Sequence, residues 1–110
     1  MGDNFAGVLL KRSDYLRRWK ERWFVLDERA SAFSYWRQNR KPDESTKATC
    51  SKCLSSIIAV KAFEHKGYFS VTLGNGFYHE DWYLRAQTSE LQDQWIAQLQ
   101  KIIKRNDESI

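Results

Sequence analysis

Six basic side chains lie within one short stretch of this chain: Lys11, Arg12, Arg17, Arg18, Lys20 and Arg22. Only Asp14 and Glu21 oppose them there. The chemistry such a set can perform is to hold a multiply charged anion. Arginine offers a planar fork that matches pairs of phosphate oxygens, and lysine a compact point charge. Apolar runs flank the cluster, Gly7-Val-Leu-Leu on one side and Trp23-Phe-Val-Leu on the other. Both are of strand type, so the charges sit at and beside a turn between two strands. The alternative is a solvated hairpin rim, because basic loops are common and often idle.

Strand side chains alternate, so residues two apart share a face. Lys20, Arg22, Phe24 and Leu26 therefore share one face, charged first and apolar later. A face of that kind runs from an open mouth into an interior. Leu9 and Lys11 behave alike on the first strand, with the charge at the loop end. In an antiparallel hairpin the end of one strand meets the start of the next. Lys11, Lys20 and Arg22 are thus predicted to converge, with Arg12, Arg17 and Arg18 as a looser outer ring. Tyr15 and Leu16 are an apolar pair at the loop tip. Either they enter a membrane interface, Tyr15 keeping its hydroxyl at head-group depth, or Leu16 folds back on the hairpin.

Other candidate chemistry is thin. Cys50 and Cys53 have thioredoxin-like spacing, but no βαβ pattern surrounds them. A zinc site needs two further ligands, and His65 and His79 lack ligand spacing to the pair. Two reduced thiols are the ordinary reading. No Ser-His-Asp order, carboxylate pair or phosphate loop can be assembled. His79-Glu80-Asp81 reads as a polar approach to a strand. The expectation is a non-enzyme without metal or cofactor.

The elements that must position the cations follow from pattern. Strands are predicted over residues 5–11, 19–26, 32–37, 48–54, 56–64, 68–73 and 81–86, the last beginning a little earlier. Residues 38–47 form a polar loop around Pro42, and Gly74-Asn75-Gly76 is a turn signal. Closely spaced short strands suggest an antiparallel sandwich or barrel. The period then changes. Ser89-Glu90-Leu91-Gln92 fits a capping box. Leu91, Trp95, Leu99, Ile102 and Ile103 make one helical stripe, which must bury itself against the open end of the β structure. The chain of 110 residues is expected to be one domain, residues 1–110, with a core over 5–105 and a tail after Arg105.

The net charge of +4 points to anionic partners, and its position says more than its total. No apolar run reaches the length of a membrane span. There is no secretory pattern, and Ala6 occupies the position where a myristoylation motif needs Ser or Thr. The expected location is cytoplasmic.

Gly7-Val-Leu-Leu-Lys11 followed by Trp19-Lys20-Glu21-Arg22-Trp23-Phe24-Val25-Leu26 resembles the opening hairpin of a pleckstrin homology (PH) domain. The final helix with Trp95 in its middle resembles the family's other hallmark. The resemblance covers essentially the whole chain. It implies a mainly β fold, a seven-stranded antiparallel, partly open barrel capped by one C-terminal helix. It also implies a non-catalytic module that binds phosphoinositide head groups and is recruited peripherally to membranes. Carried over onto this chain, the ligands are Lys11 on the first strand, Lys20 and Arg22 on the second and Arg17 in the loop, with Tyr35 on the third strand. Glu21 departs from the pattern of strong binders, but its side chain is predicted to point to the opposite face. Asp14 would repel phosphate if it pointed inward.

Two rivals remain at this stage. One is a protein-interaction module on the same fold, with only weak, non-selective binding of acidic lipids such as phosphatidic acid or phosphatidylserine. The other is nucleic-acid binding, which is set aside because the aromatic residues read as strand core and not as an exposed stacking platform. The module is expected to be a monomer in isolation.

Overall fold

A computed structural model describes residues 4–13, 15–74 and 76–108. Seven strands form one antiparallel sheet: β1 (Asn4–Arg12), β2 (Trp19–Asp27), β3 (Ala32–Trp36), β4 (Cys50–Cys53), β5 (Ile57–Phe63), β6 (Tyr68–Gly74) and β7 (His79–Arg85). Their order across the sheet is β4-β3-β2-β1-β7-β6-β5. The sheet curls over a common core but does not close, because β4 and β5 are its two edges. A single helix, α1 (Ser89–Glu108), follows β7 and packs against β5 and the 3-10 turn Leu54–Ser56. The expected partly open barrel with a C-terminal helix is therefore what the chain forms. Among the described residues no helix is long and apolar enough to cross a membrane.

The core follows the alternation of the strands. Leu9, Phe24, Phe33, Phe69, Val71 and Leu84 are fully buried, one face of each strand pointing inward. Trp95 joins them from α1, its ring edge-on to Phe5 at 4.6 Å between centroids. Aromatic residues dominate the interior: Phe24, Phe33, Tyr35 and Trp82 contact one another in a chain of tilted and T-shaped pairs. Each such pair adds about 0.5–1.5 kcal/mol to plain burial. Gly67 adopts φ 74° in the turn between β5 and β6, a conformation that favours glycine.

The helix differs from expectation at both ends. Its start is capped by Thr88, whose Oγ1 accepts the Leu91 N–H at 3.1 Å. The predicted cap, Ser89, instead donates to Glu90. Gln92 does reach back, but its Oε1 accepts the Ala86 N–H. Both Thr88 and Ser89 are good caps, and the position of β7's end selects the earlier one. Leu91 is exposed, while Ile96 packs against the core in its place. The predicted tail after Arg105 is helical as far as Glu108. Arg105 pairs with Glu28, and the Asn106 side chain donates to the carbonyls of Leu54 and Ile57 at 2.9 and 3.3 Å. The predicted fourth strand shortens to Cys50–Cys53 because Leu54–Ser56 turns into the 3-10 segment.

Candidate functional site

The β1–β2 register pairs Lys11 directly with Lys20 and Leu9 with Arg22. Directly opposed residues of a hairpin share a face, so Lys11, Lys20 and Arg22 stand together beyond the buried Leu9 and Phe24. Like charges directly opposed across strands are destabilising. A bound anion would relieve that repulsion. The strands present these groups, with Ser13, Tyr35 and Arg37, around one cleft of about 230 Å³. Lys11 Nζ lies 5.5 Å from the ring centroids of both Tyr35, which lines the cleft, and Trp82.

Tyr35 is half-buried on β3, opposite Phe24 and Cys50. Burial, then the Cys50 thiol, push its hydroxyl above the usual phenol range, while Arg22 and Arg37 pull it back. It therefore stays protonated at neutral pH and can donate a hydrogen bond. Arg37 and Ser13 were not anticipated. Parity was the available signal, since each lies two residues beyond a recognised member, Tyr35 and Lys11. Glu21 accepts from Asn39 Nδ2 at 3.3 Å and does not line the cleft. Arg22 Nη1 donates to the Glu21 carbonyl at 3.0 Å, which restrains the guanidinium.

The loop above the cleft is closed by backbone bonds. Ser13 N–H donates to the Arg18 carbonyl, and Arg17 N–H to the Ser13 carbonyl, both at 2.9 Å. The Ser13 hydroxyl also accepts the Arg18 N–H. This closure puts Arg17 at φ 53°, in the left-handed region. Arg17 and Arg18 are exposed and lie outside the cleft lining. Tyr15 is 94 % and Leu16 57 % exposed, so Leu16 does not fold back on the hairpin. Asp14 lies outside the described residues.

Arg12 does not join an outer ring around the cleft. Alternation sends it to the opposite face of β1, where its guanidinium lies 4.2 Å from the Tyr83 ring centroid. The Lys52 ammonium on β4 is 3.1 Å from the Glu80 carboxylate on β7, an ion pair between the two halves of the sheet. Cys50 and Cys53 are free thiols. Cys53 is exposed, and hydrogen bonds with Ser55 lower its thiol below the usual range. Among the described residues no group of three or more His, Cys, Asp and Glu side chains is placed to hold a metal.

An unclosed antiparallel barrel with one helix packed on it, carrying cations on its first hairpin, belongs to a recognisable class of small β modules. The sequence matches the PH domain family over residues 4–104, and the chain belongs to that family. The human ceramide transfer protein is 31% identical over 98 residues, covering 87% of this chain and 14% of that protein. The chain thus spans about one-seventh of the length of that relative. Among solved structures, the PH domain of human oxysterol-binding protein-related protein 11 superposes with a TM-score of 0.78 at 25% identity, over 100% of this chain and 88% of that one. The C-terminal PH domain of pleckstrin in complex with D-myo-Ins(1,2,3,4,5)P5 superposes with a TM-score of 0.70 at 22% identity, covering 89% of this chain and 95% of that one.

Proposed function

We propose that this PH domain is a non-catalytic module that docks on anionic phospholipid head groups, phosphoinositides foremost, and draws the protein carrying it to the cytoplasmic face of a membrane. The observation that carries this reading is the convergence of Lys11, Lys20, Arg22, Arg37 and Tyr35 on one cleft. Lys11 and Lys20 grip a phosphate from two facing strands. Arg22 and Arg37 supply planar forks, and the Tyr35 phenol donates. Rigid strands hold these groups, so little entropy is lost on binding. Outside the cleft, Arg17 and Arg18 face the leaflet, where each cation contributes about 1 kcal/mol. Tyr15 and Leu16, exposed at the loop tip, enter the interface. The pleckstrin domain in complex with an inositol phosphate supports the ligand class.

The test is co-sedimentation with vesicles that differ only in head group, across a salt series. Phosphoinositide vesicles are expected to retain the domain, and Lys20→Glu with Arg22→Glu to abolish retention. Unchanged retention by that double variant would overturn the site. Strong salt sensitivity without head-group preference would reduce it to a general electrostatic patch. A second reading rests on the two unpaired sheet edges, β4 and β5. Each offers backbone groups to which a partner peptide can add a strand. Loss of peptide binding on insertion of proline in β4 would favour that reading. Size-exclusion chromatography checks the monomer expectation.

A further inference from the structure

Among the described residues the first hairpin pairs with the second half of the barrel at two positions of β7, Leu10 with Arg85 and Lys11 with Leu84. On the outer face at that junction lies a cluster of rings and guanidinium groups. Arg12 lies 4.2 Å from the ring centroid of Tyr83, 5.8 Å from Tyr68 and 6.0 Å from Trp19. Trp19 in turn lies 5.4 Å from Tyr68, and Phe63 joins Tyr68 and Tyr83 from β5. Arg85 lies 5.0 Å from the Trp19 centroid and donates to the Lys66 carbonyl at 3.0 Å. Arg12 and Trp19 are paired residues at the base of the β1–β2 loop. Tyr68, Tyr83 and Arg85 belong to β6 and β7. The cluster therefore ties the root of the loop to the other half of the molecule.

We infer that Arg12 is a positioning residue, stacked into an aromatic clasp with Trp19, Tyr68 and Tyr83 that holds the β1–β2 loop in its anion-binding geometry. Three lines of physical chemistry support this. A guanidinium whose central carbon lies 4.2–6.0 Å from three ring centroids is held by cation–π attraction. Lysine, a compact point charge, does not reproduce a guanidinium's contact with several rings at once. Half-buried among rings, Arg12 adds little to the field felt by a membrane, unlike the exposed Arg17 and Arg18. Arg85 completes the clasp, its Nε buried with no hydrogen-bond partner among the described residues while its far end restrains the β5–β6 turn. From α1, Gln92 Nε2 reaches the neighbouring Gly67 carbonyl at 3.4 Å. The lipid-binding consequence rests on the function proposed above; the mechanical one does not.

The test separates the two. Hydrogen exchange of the loop amides 13–18 is measured without any lipid. Arg12→Gln and Tyr83→Leu are each expected to accelerate exchange there several-fold, with the core amides of β2 and β6 unchanged. Tyr83→Leu removes no charge, so an effect from it cannot be electrostatic. The double variant is expected to be no worse than either single one, because both break the same contact. Tyr83→Phe, which keeps the ring, is expected to retain protection. Arg12→Lys, which keeps the charge, is expected to lose it. On phosphoinositide vesicles, Arg12→Gln and Tyr83→Leu are both expected to weaken binding while leaving its salt dependence as in the parent. Full protection in Arg12→Lys, or unaltered loop exchange in Tyr83→Leu, would overturn the clasp. If the parent domain binds no vesicle yet its loop responds to these changes, the proposed function fails and the clasp stands.

Discussion

Tyr35 joins the interior of this domain to its mouth. Its ring packs on Phe24 and Trp82 at centroid distances of 5.2 and 5.4 Å, and its hydroxyl edge belongs to the cationic cleft. Tyr35→Phe keeps the packing and removes the donor. Stability at neutral pH is expected to change little, while head-group binding measured by vesicle retention is expected to fall several-fold. A pH effect follows from burial, which raises the folded-state phenol above its ordinary value of 10.0. The folded state therefore holds the proton more tightly than the unfolded one. Stability is unaffected below about pH 10 and decreases as pH rises from there toward the folded-state value. A melting series from pH 8 to 11 is expected to show a steeper alkaline loss in the parent than in Tyr35→Phe. Parallel curves would show that the hydroxyl titrates alike in both states.

At the scale of elements, the β1–β2 hairpin carries most of the site, and its loop is closed at a local cost. Arg17 occupies the left-handed region at φ 53°, where a non-glycine residue costs on the order of 1 kcal/mol or more. Glycine would relieve the strain but would also increase the entropy of the unfolded chain. Arg17→Gly is accordingly expected to leave the melting temperature unchanged or slightly higher. On the proposed lipid-binding reading its vesicle retention is expected to fall, because an exposed cation is lost. A clear drop in melting temperature would show that the Arg17 side chain, and not the loop closure, stabilises the hairpin. Strand alternation made much of this element readable from sequence. The placing of Lys11, Lys20 and Arg22 on one face required only a period of two and an antiparallel turn. The same rule applied to Arg37 and Ser13 would have added both. Arg12 was grouped with the loop cations by proximity, although parity with Lys11 separates them. What Arg12 meets on the far face, Tyr68 and Tyr83, is more distant in sequence than any local rule can reach.

For the whole molecule, the seven-stranded sheet leaves its ends open, and α1 supplies the missing wall. Trp95 is the main anchor, 2 % exposed and in contact with Phe5 and Phe33. Trp95→Ala is expected to cost about 3–5 kcal/mol, from lost burial and the cavity left behind. That is a large part of the total stability of an ordinary domain. Urea unfolding is expected to show the loss as a lower midpoint, and a midpoint within experimental scatter of the parent would contradict the anchoring role. The succession of seven strands and a helix along the chain, the amphipathic stripe of that helix and the shared face of Lys11, Lys20 and Arg22 were all determined by the sequence itself. Periods of two and 3.6 residues and the demand to bury apolar faces act locally, so they can be read residue by residue. Tertiary structure alone decided which of two good caps starts α1, the anchoring of Asn106, the Lys52–Glu80 bridge between β4 and β7, and the rings that enclose Arg12. Each of these depends on groups far apart in the chain, and their meeting is set by how the two halves of the sheet fold over a shared core.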